Sequence, residues 1–324
     1  MTPPLLAIVV DTEEEFDWSA PFDRASRSVA NILEQHRAHE IYAALGMVPT
    51  YVIDHPVASD DKAVAALCAL QQAGDAVIGT HLHPWVNPPE TEAVNTHNSF
   101  HCNLPPALER AKMAVLTDLI AERFGARPTI FKAGRYGFGA NTQAVLVELG
   151  YRIDCSFVAH SGFAAMGGPD FCGKPAQPHW LDEAAGLLEI PLTTGFTGAL
   201  APLGPGMAPL FDSPQAIAAR LPGILGRTGM LSRTRLTPEG VPAAELCKLL
   251  DVLVARGQRI FTMAYHSSSL LAGGSPYART AEDVAAFCAT IRQVLTHFRD
   301  RLGGRFITLD DIYDGFANPG QNAK

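Results

Sequence analysis

Acidic and imidazole side chains stand at the ends of three apolar segments of this sequence. They are Asp11 and Glu13 after LLAIVV, His81 and His83 in AVIGTHLH, and His266 at the end of RIFTMAYH. Carboxylates and imidazoles bind Zn²⁺, and both groups transfer protons in hydrolytic enzymes. If the apolar segments are parallel strands, their ends meet at one end of a barrel or one edge of a sheet. The pattern therefore predicts a mononuclear metal site with a base and an acid beside it.

Two of these groups share the spacing i and i+2, which places both members on one face of an extended strand. In the first pair, one carboxylate can bind a metal while its neighbour acts as a base. A functional role is favoured for Asp11, whereas Glu13 is equally well explained as part of a solvated acidic loop. Glu14 and Glu15 continue the acidic run, and a run of charges is usually solvated. We therefore expect Glu14 and Glu15 to be exposed and without a role.

Other residues near these segments are candidates for the substrate cleft. Trp85 follows the histidine pair and is expected either to stack on a sugar ring or simply to pack. In FKAGRYGFG, Arg135 is a candidate to hold the carboxylate of Asp11, and Tyr136 to line the cleft. His266 precedes three serines, but no GxSxG elbow surrounds them, which argues against a serine hydrolase.

Short apolar runs typical of buried parallel strands alternate with stretches of helical periodicity. The runs lie at 5–10, 48–53, 76–80, 129–131, 153–157, 187–190, 260–265 and 305–308. Gly46, Gly125 and Gly150 end helical stretches and are followed at once by a strand, as is typical of β/α units. The sequence therefore predicts an α/β fold, a distorted (β/α) barrel of about seven or eight parallel strands.

The segment 158–236 breaks this rhythm because it is rich in Gly and Pro. We interpret it as an insertion of loops and short strands over the barrel top, where it shapes the cleft or forms a surface loop without function. Its loosest part, 195–212, is predicted to be poorly packed or mobile and to border the cleft. No repeat or clean linker interrupts the sequence, so residues 1–324 are predicted to form one domain.

Composition excludes several classes of function. The chain has 324 residues, 47% hydrophobic and 18% charged, with a net charge of −8 and no run of Lys and Arg, so nucleic-acid binding is not expected. No apolar stretch is long enough to cross a bilayer. Six scattered cysteines and an N-terminal stretch without a basic region predict a reduced, cytoplasmic protein without a signal peptide.

These motifs, in this order, resemble the polysaccharide deacetylases of the NodB-homology type, and more closely their WalW-like branch. The resemblance runs from Leu5 to about Gly315. It implies a distorted barrel that uses a divalent metal to remove N- or O-acetyl groups from sugars. The metal expected is Zn²⁺, with Co²⁺, Mn²⁺ or Ni²⁺ as alternatives, and the partner is a carbohydrate or another small acylated substrate.

The resemblance also implies roles for the strand-end residues. It makes Asp11 the base and Glu13 a metal ligand, where the family has Asp. His81 and His83 match its ligand pair, although the family spaces the two histidines four residues apart and this chain spaces them two apart.

Three further motifs complete the comparison. The family places an Arg and a Tyr in the cleft, and GRYG matches them with Arg135 and Tyr136. Lys132 is the alternative to Arg135 as the matching cation. Asp154 in YRIDCSF matches a late Asp and is expected near the substrate, and His266 matches the catalytic His. Two other functions stay open from the sequence: hydrolysis of a small non-sugar amide or imide, and glycan binding without catalysis.

Overall fold

Eleven β-strands build the computed structural model, which describes residues 2–318. They are β1 Leu5–Thr12, β2 Thr50–Ile53, β3 Val77–Leu82, β4 Ile130–Ala133, β5 Ile153–Asp154, β6 His179–Asp182, β7 Leu187–Glu189, β8 Thr194–Thr197, β9 Ser232–Arg235, β10 Ile260–His266 and β11 Arg305–Phe306. Each of the eight apolar runs in the sequence coincides with one strand of the main sheet.

The helices lie between these strands. They are α1 His36–Leu45, α2 His55–Ser59, α3 Asp61–Ala73, α4 Pro106–Phe124, α5 Ala140–Leu149, α6 Gly204–Met207, α7 Pro214–Ala218, α8 Leu221–Arg227, α9 Ala243–Ala255, α10 Ala281–Asp300 and α11 Leu309–Ala317. As expected, α1, α4 and α5 end at Gly46, Gly125 and Gly150, whose φ angles of 65°, 75° and 84° are left-handed. In the described part of the chain, no helix combines the length and apolarity that a bilayer crossing requires.

The main sheet has the strand order β10-β1-β2-β3-β4-β5-β7-β6, and β11 also pairs with β1. Only the β6–β7 pair in this sheet is antiparallel. Strands β7 and β10 do not pair directly. Single hydrogen bonds connect these two sides of the sheet: Thr193 N–H donates to the carbonyl oxygen of Thr262 at 3.1 Å, and Leu236 N–H donates to the carbonyl oxygen of Thr193 at 2.8 Å. The sheet therefore curls into a distorted, incompletely laddered barrel of eight parallel strands, which confirms the predicted fold class.

Strand register places the polar residues at a common end of the barrel. Asp11 on β1 pairs with His266 on β10, and His81 on β3 pairs with Lys132 on β4. All four residues lie at or near the C-terminal ends of their strands. In β/α barrels this end carries the active site, and the apolar remainder of β1 packs inside the core.

The segment 158–236 is more ordered than its composition predicts. It supplies β6 and β7 to the main sheet and the antiparallel pair β8–β9, which forms a second, two-stranded sheet. The prediction that 195–212 is poorly packed is wrong, because Phe196, Ala201 and Ala208 form a small buried core with Leu231. A large cavity opens at the C-terminal ends of the barrel strands, and no residue of 195–212 lines it. Leu192, before that stretch, and Arg233, after it, line the cavity instead.

Candidate metal and active site

A cavity of about 690 Å³ opens at the C-terminal ends of the barrel strands. It is lined by eight of the residues that the sequence singled out, namely Asp11, Glu13, His81, His83, Lys132, Arg135, Tyr136 and His266. Residues far apart in the chain thus converge on one cavity, as expected if the apolar runs are parallel strands.

The three predicted metal ligands lie together on the cavity floor. Glu13 Oε2 is 3.3 Å from Nε2 of His81 and 3.4 Å from Nε2 of His83. All three side chains are buried, and one candidate ligand atom from each lies within 4.8 Å of the other two. A carboxylate and two imidazoles are a donor set typical of catalytic zinc sites, which leave a position open for water or substrate.

The hydrogen bonds of the two imidazoles favour metal binding. His81 Nδ1 lies 3.1 Å from the carbonyl oxygen of Lys132, an acceptor, and His83 Nδ1 lies 2.7 Å from Glu14 Oε2. When Nδ1 carries the proton, Nε2 presents its lone pair toward Glu13. Burial also lowers the pKa of both histidines, well below the ordinary range for His81, which keeps them neutral.

Glu13 itself shows why a cation fits here. Its Oε1 is buried without a hydrogen-bond partner in the described residues, and burial raises the pKa of Glu13 to about 7. An uncompensated buried carboxyl is costly, and a cation bound between it and the two neutral imidazoles would supply the missing counter-charge. The residues present therefore fit a divalent metal ion.

Behind this floor lies a second buried layer that the sequence did not reveal. The expectation that Glu14 is solvated is wrong, because its side chain is fully buried and accepts hydrogen bonds from Nδ1 of His83 and, at 2.8 Å, from Nε1 of Trp85. Asp54 lies beside it and accepts from Glu14 N–H at 2.7 Å. Burial raises the pKa of Glu14 to about 8 and that of Asp54 well above its usual range. Glu15 is half-buried and accepts a hydrogen bond from the backbone N–H of Asn31.

Asp11 is held by a lysine rather than by an arginine. Nζ of Lys132 makes a short contact with Asp11 Oδ2, whereas Asp11 Oδ1 has no hydrogen-bond partner in the described part of the chain. Burial alone would lower the pKa of Lys132, but its neighbours, with Asp11 the largest contributor among them, raise it above its usual range. The expectation that Arg135 holds Asp11 is therefore corrected, and the alternative cation Lys132 takes that place.

Arg135 remains in the cavity wall with other partners. Its guanidinium bonds the hydroxyl of Ser99 and lies 4.3 Å from the ring centre of Phe100. Arg135 and Tyr136 have φ angles of 53° and 61°, a left-handed conformation that costs non-glycine residues about 1–2 kcal/mol each. The turn passes so close to β3 that a Cβ atom at Gly134 would collide with the imidazole of His83, so only glycine fits there.

A carboxylate holds His266 from a loop. Nδ1 of His266 lies 2.8 Å from Glu239 Oε2, and its backbone N–H donates to Glu239 Oε1 at 3.1 Å. Ser269 Oγ donates to the same Oε1 at 2.6 Å. Burial alone would lower the pKa of His266, but the charges of Glu239, Glu13 and Asp11 raise it well above its usual range. Nε2 of His266 faces Asp11 Oδ2 at 3.7 Å.

Two residues expected near the substrate lie elsewhere. Trp85 is 2% exposed and stacks on His83 at a ring-centre distance of 4.2 Å, so it supports a candidate ligand and does not line the cavity. Asp154 is fully buried, accepts from Ser156 Oγ at 2.6 Å and also lies outside the cavity lining. The aromatic residues that do line the cavity include Phe16, Trp18, Phe22, Tyr136 and Tyr277.

Comparison with known proteins found similarity in three-dimensional structure. A protein of Mycobacterium smegmatis described as a polysaccharide deacetylase is similar over 97% of this chain and 90% of its own, at 13% identity and a TM-score of 0.56. PuuE allantoinase is similar over 99% of this chain and 92% of its own, at 16% identity and a TM-score of 0.56. A protein of Pseudomonas aeruginosa PAO1 described as a polysaccharide deacetylase is similar over 99% of this chain and 92% of its own, at 15% identity and a TM-score of 0.53.

At the level of sequence, neither the models of protein families nor the curated proteins gave a match. Identities this low establish the fold alone. The chain therefore has the fold of the polysaccharide deacetylases, as the sequence motifs implied, and its chemistry has to be argued from the residues of its own cavity.

Proposed function

We propose that this protein is a metal-dependent hydrolase that removes an acetyl or other acyl group from the nitrogen of an amino sugar or glycan precursor. The observation that carries the proposal is one cavity in which Glu13, His81 and His83 converge beside Asp11 and His266. A metal donor set, a carboxylate base and an imidazole acid are three parts that together can carry out a metal-assisted hydrolysis of an amide. Their occurrence within one cavity is a stronger argument than any one of them alone.

Glu13, His81 and His83 would hold the metal, for which Zn²⁺ is the best match to two imidazoles and one carboxylate. When bound, a divalent cation polarises an acyl carbonyl and acidifies water. Asp11 takes a proton from the attacking water, and Oδ1 is the atom free to do so because Lys132 occupies Oδ2. The contact with Lys132 also fixes the direction in which the carboxylate faces.

His266 then protonates the leaving nitrogen. A protonated imidazole can donate from Nε2, which faces the cavity beside Asp11, while Nδ1 stays bonded to Glu239. The raised pKa of His266 favours the cationic form that an acid requires. Without that proton the amine would have to leave as an anion, and the C–N bond would not break at a useful rate.

The walls of the cavity are consistent with a sugar. Trp18 packs edge-on against His266, the proposed acid, at 4.8 Å between ring centres, and at 5.9 Å against Tyr277, which also lines the cavity. Aromatic faces bind the apolar faces of pyranose rings, and a cavity of about 690 Å³ is large enough for a small ligand.

A second candidate is hydrolysis of a small non-sugar amide or imide, because PuuE allantoinase is as similar in structure as the polysaccharide deacetylases are. The same residues would serve that reaction. A panel containing acetylated amino sugars and cyclic amides separates the two candidates by which members are hydrolysed.

The test combines metal content with turnover. Elemental analysis of the purified protein should find about one divalent ion per chain, and acetate should be released from at least one N-acetylated sugar. Glu13→Gln should lose both the metal and the activity. Glu148→Gln, an exposed acid that pairs with Arg110 outside the cavity, is the matched control and should keep both. Full activity of a protein without any metal would overturn the proposal.

A further inference from the structure

Three arginines line the cavity, and they differ in how their charge is balanced. Arg233 pairs with Asp212 through contacts of 2.6 and 2.7 Å, so its charge is neutralised within the protein. Over residues 2–318, neither Arg135 nor Arg235 has a carboxylate within ion-pair distance. Both are only partly exposed, and both line the cavity that holds the proposed active site.

The contacts of these two side chains are with neutral groups. Arg135 bonds Ser99 Oγ and lies against Met166 Sδ at 3.6 Å, while Arg235 donates to Ser161 Oγ at 3.2 Å. Burial lowers the pKa of Arg135, although a guanidinium stays charged at any physiological pH. Two half-buried cations held by neutral partners leave a positive charge that a ligand can neutralise.

The two arginines stand on the same wall. Tyr136, the neighbour of Arg135 in the chain, stacks with Phe163 at 5.3 Å between ring centres. The guanidinium of Arg235 lies 5.9 Å from the Tyr136 ring and 5.5 Å from the Phe163 ring.

The wall reaches the reaction centre through the same tyrosine. Nζ of Lys132, the partner of Asp11, lies 5.3 Å from the Tyr136 ring. One aromatic ring thus lies between Arg235 and Lys132, the lysine that contacts the proposed base.

The remaining acids of the cavity do not compensate this charge. Asp11 pairs with Lys132, Glu239 pairs with His266, and Glu13 faces His81 and His83. Asp17 and Glu245 also line the cavity, but both are exposed, so water screens them.

Resting on the proposed function, we propose that Arg135 and Arg235 form an anion subsite, so that the acylated substrate carries a carboxylate or phosphoryl group beside its acyl amide. Guanidinium groups bind both kinds of oxyanion through paired N–H donors. A neutral sugar would leave the positive wall unpaired. The subsite therefore selects among substrates that present the same acetamide to the reaction centre.

The test compares three compounds that share one acetamide: N-acetylglucosamine, N-acetylglucosamine 1-phosphate and N-acetylmuramic acid. We expect kcat/KM for at least one of the two anions to exceed that for the neutral sugar by about tenfold or more, which is the size of one charge-assisted hydrogen bond. The better anion identifies phosphoryl or carboxylate as the group bound. Added salt should reduce the preference because screening weakens the attraction.

Variants assign the preference to the two arginines. Arg135→Gln and Arg235→Gln should each lower kcat/KM for the anionic compound by about tenfold more than for the neutral one, and Arg235→Lys should recover part of the loss. Arg292→Gln, an exposed site on α10, is the control and should change neither. If Arg135→Gln does not fold, because its turn is strained, Arg235→Gln and Arg235→Lys carry the test alone.

Binding of the three compounds, measured by calorimetry on the Asp11→Asn protein, separates this inference from the proposed function. Tighter binding of an anion that both arginine variants abolish supports the subsite even if the parent protein hydrolyses none of the compounds. Equal binding of neutral and anionic compounds, unchanged in Arg235→Gln, overturns the subsite even if the neutral sugar is deacetylated.

Discussion

Glu239 sets the charge state of the proposed acid, and its replacement by glutamine is the sharpest probe of the mechanism. The carboxylate accepts from the backbone N–H of His266 and lies 2.8 Å from its Nδ1. Glutamine has the same shape, and its carbonyl oxygen can still accept from Nδ1. The substitution removes a charge from the site, and the amide nitrogen of glutamine then replaces Oε1, the acceptor of the His266 backbone N–H. The pairing of His266 with Asp11 between β10 and β1 still holds the backbone of His266 in place.

The size of the effect follows from the opposing influences on His266. Burial lowers its pKa, and the charge of Glu239 is the largest of the influences that raise it again. An opposite charge at this distance typically changes a pKa by about 1–3. Because the acid must be protonated, the basic limb of the pH–rate profile should move to lower pH by about that amount in Glu239→Gln. At a pH above the basic limb of both proteins, the rate should fall about tenfold for each pH unit by which the limb has moved.

The assay is acetate release as a function of pH, with the imidazole of His266 titrated by NMR in the same protein. Glu189→Gln is the control, because Glu189 is a buried acid outside the cavity. Burial raises its pKa well above the usual range, so glutamine mimics the neutral form already present. A basic limb that stays in place in Glu239→Gln, while the NMR titration of His266 does move, would show that the limb does not report His266.

Other substitutions test the remaining parts of the site. Asp11→Asn should retain the metal and lose about 10²–10⁴-fold in rate, and loss of the metal instead would make Asp11 a ligand. Glu14→Gln should weaken metal affinity by about 10–100-fold, measured against a chelating dye, and unchanged affinity would make the layer behind His83 merely structural. Lys132→Met should destabilise the fold by about 3–5 kcal/mol in urea unfolding, because Asp11 loses its buried counter-charge; a smaller loss would show that water reaches the carboxylate. In chelator-treated protein, the part of the stability that is lost as pH rises from 4.5 toward 8 should be smaller in Glu14→Gln than in the parent, because folded Glu14 holds its proton over that range and unfolded Glu14 does not. The same pH dependence of stability in both proteins would contradict the raised pKa of Glu14.

Most of the barrel was predictable because buried parallel strands are continuous apolar runs. That signal is strong in β1, with the sequence LLAIVVDT, and in β10, with IFTMAYH. It is absent from β6, β8 and β9, whose sequences HWLD, TGFT and SRTR mix polar and apolar residues. These three strands lie within the segment interpreted as an insertion, and their pairing is decided by tertiary contacts that no local pattern records.

The candidate ligands were predictable for a different reason: residues two apart at a strand end must share a face. The residues that position the candidate ligands and His266 could not be predicted from the sequence. Glu14 belongs to a charge run that looks solvated, and Glu239 lies in a loop far from His266 in sequence. Whether a carboxylate is buried depends on what folds over it, so its role is visible only in three dimensions. The WalW-like branch and the cytoplasmic location stay predictions.

The register of β1 and β10 explains how the proposed base and the proposed acid come to lie side by side in the cavity. Asp11 and His266 are paired residues on neighbouring parallel strands, whose backbones are spaced about 4.8 Å apart. Their separation is therefore set by the hydrogen-bond ladder of the sheet, which side-chain motion does not change. Each is then fixed in orientation by an opposite charge, Lys132 for Asp11 and Glu239 for His266. Both side chains are thus held in place by the protein itself, so in the proposed reaction little orientational freedom would be left to lose.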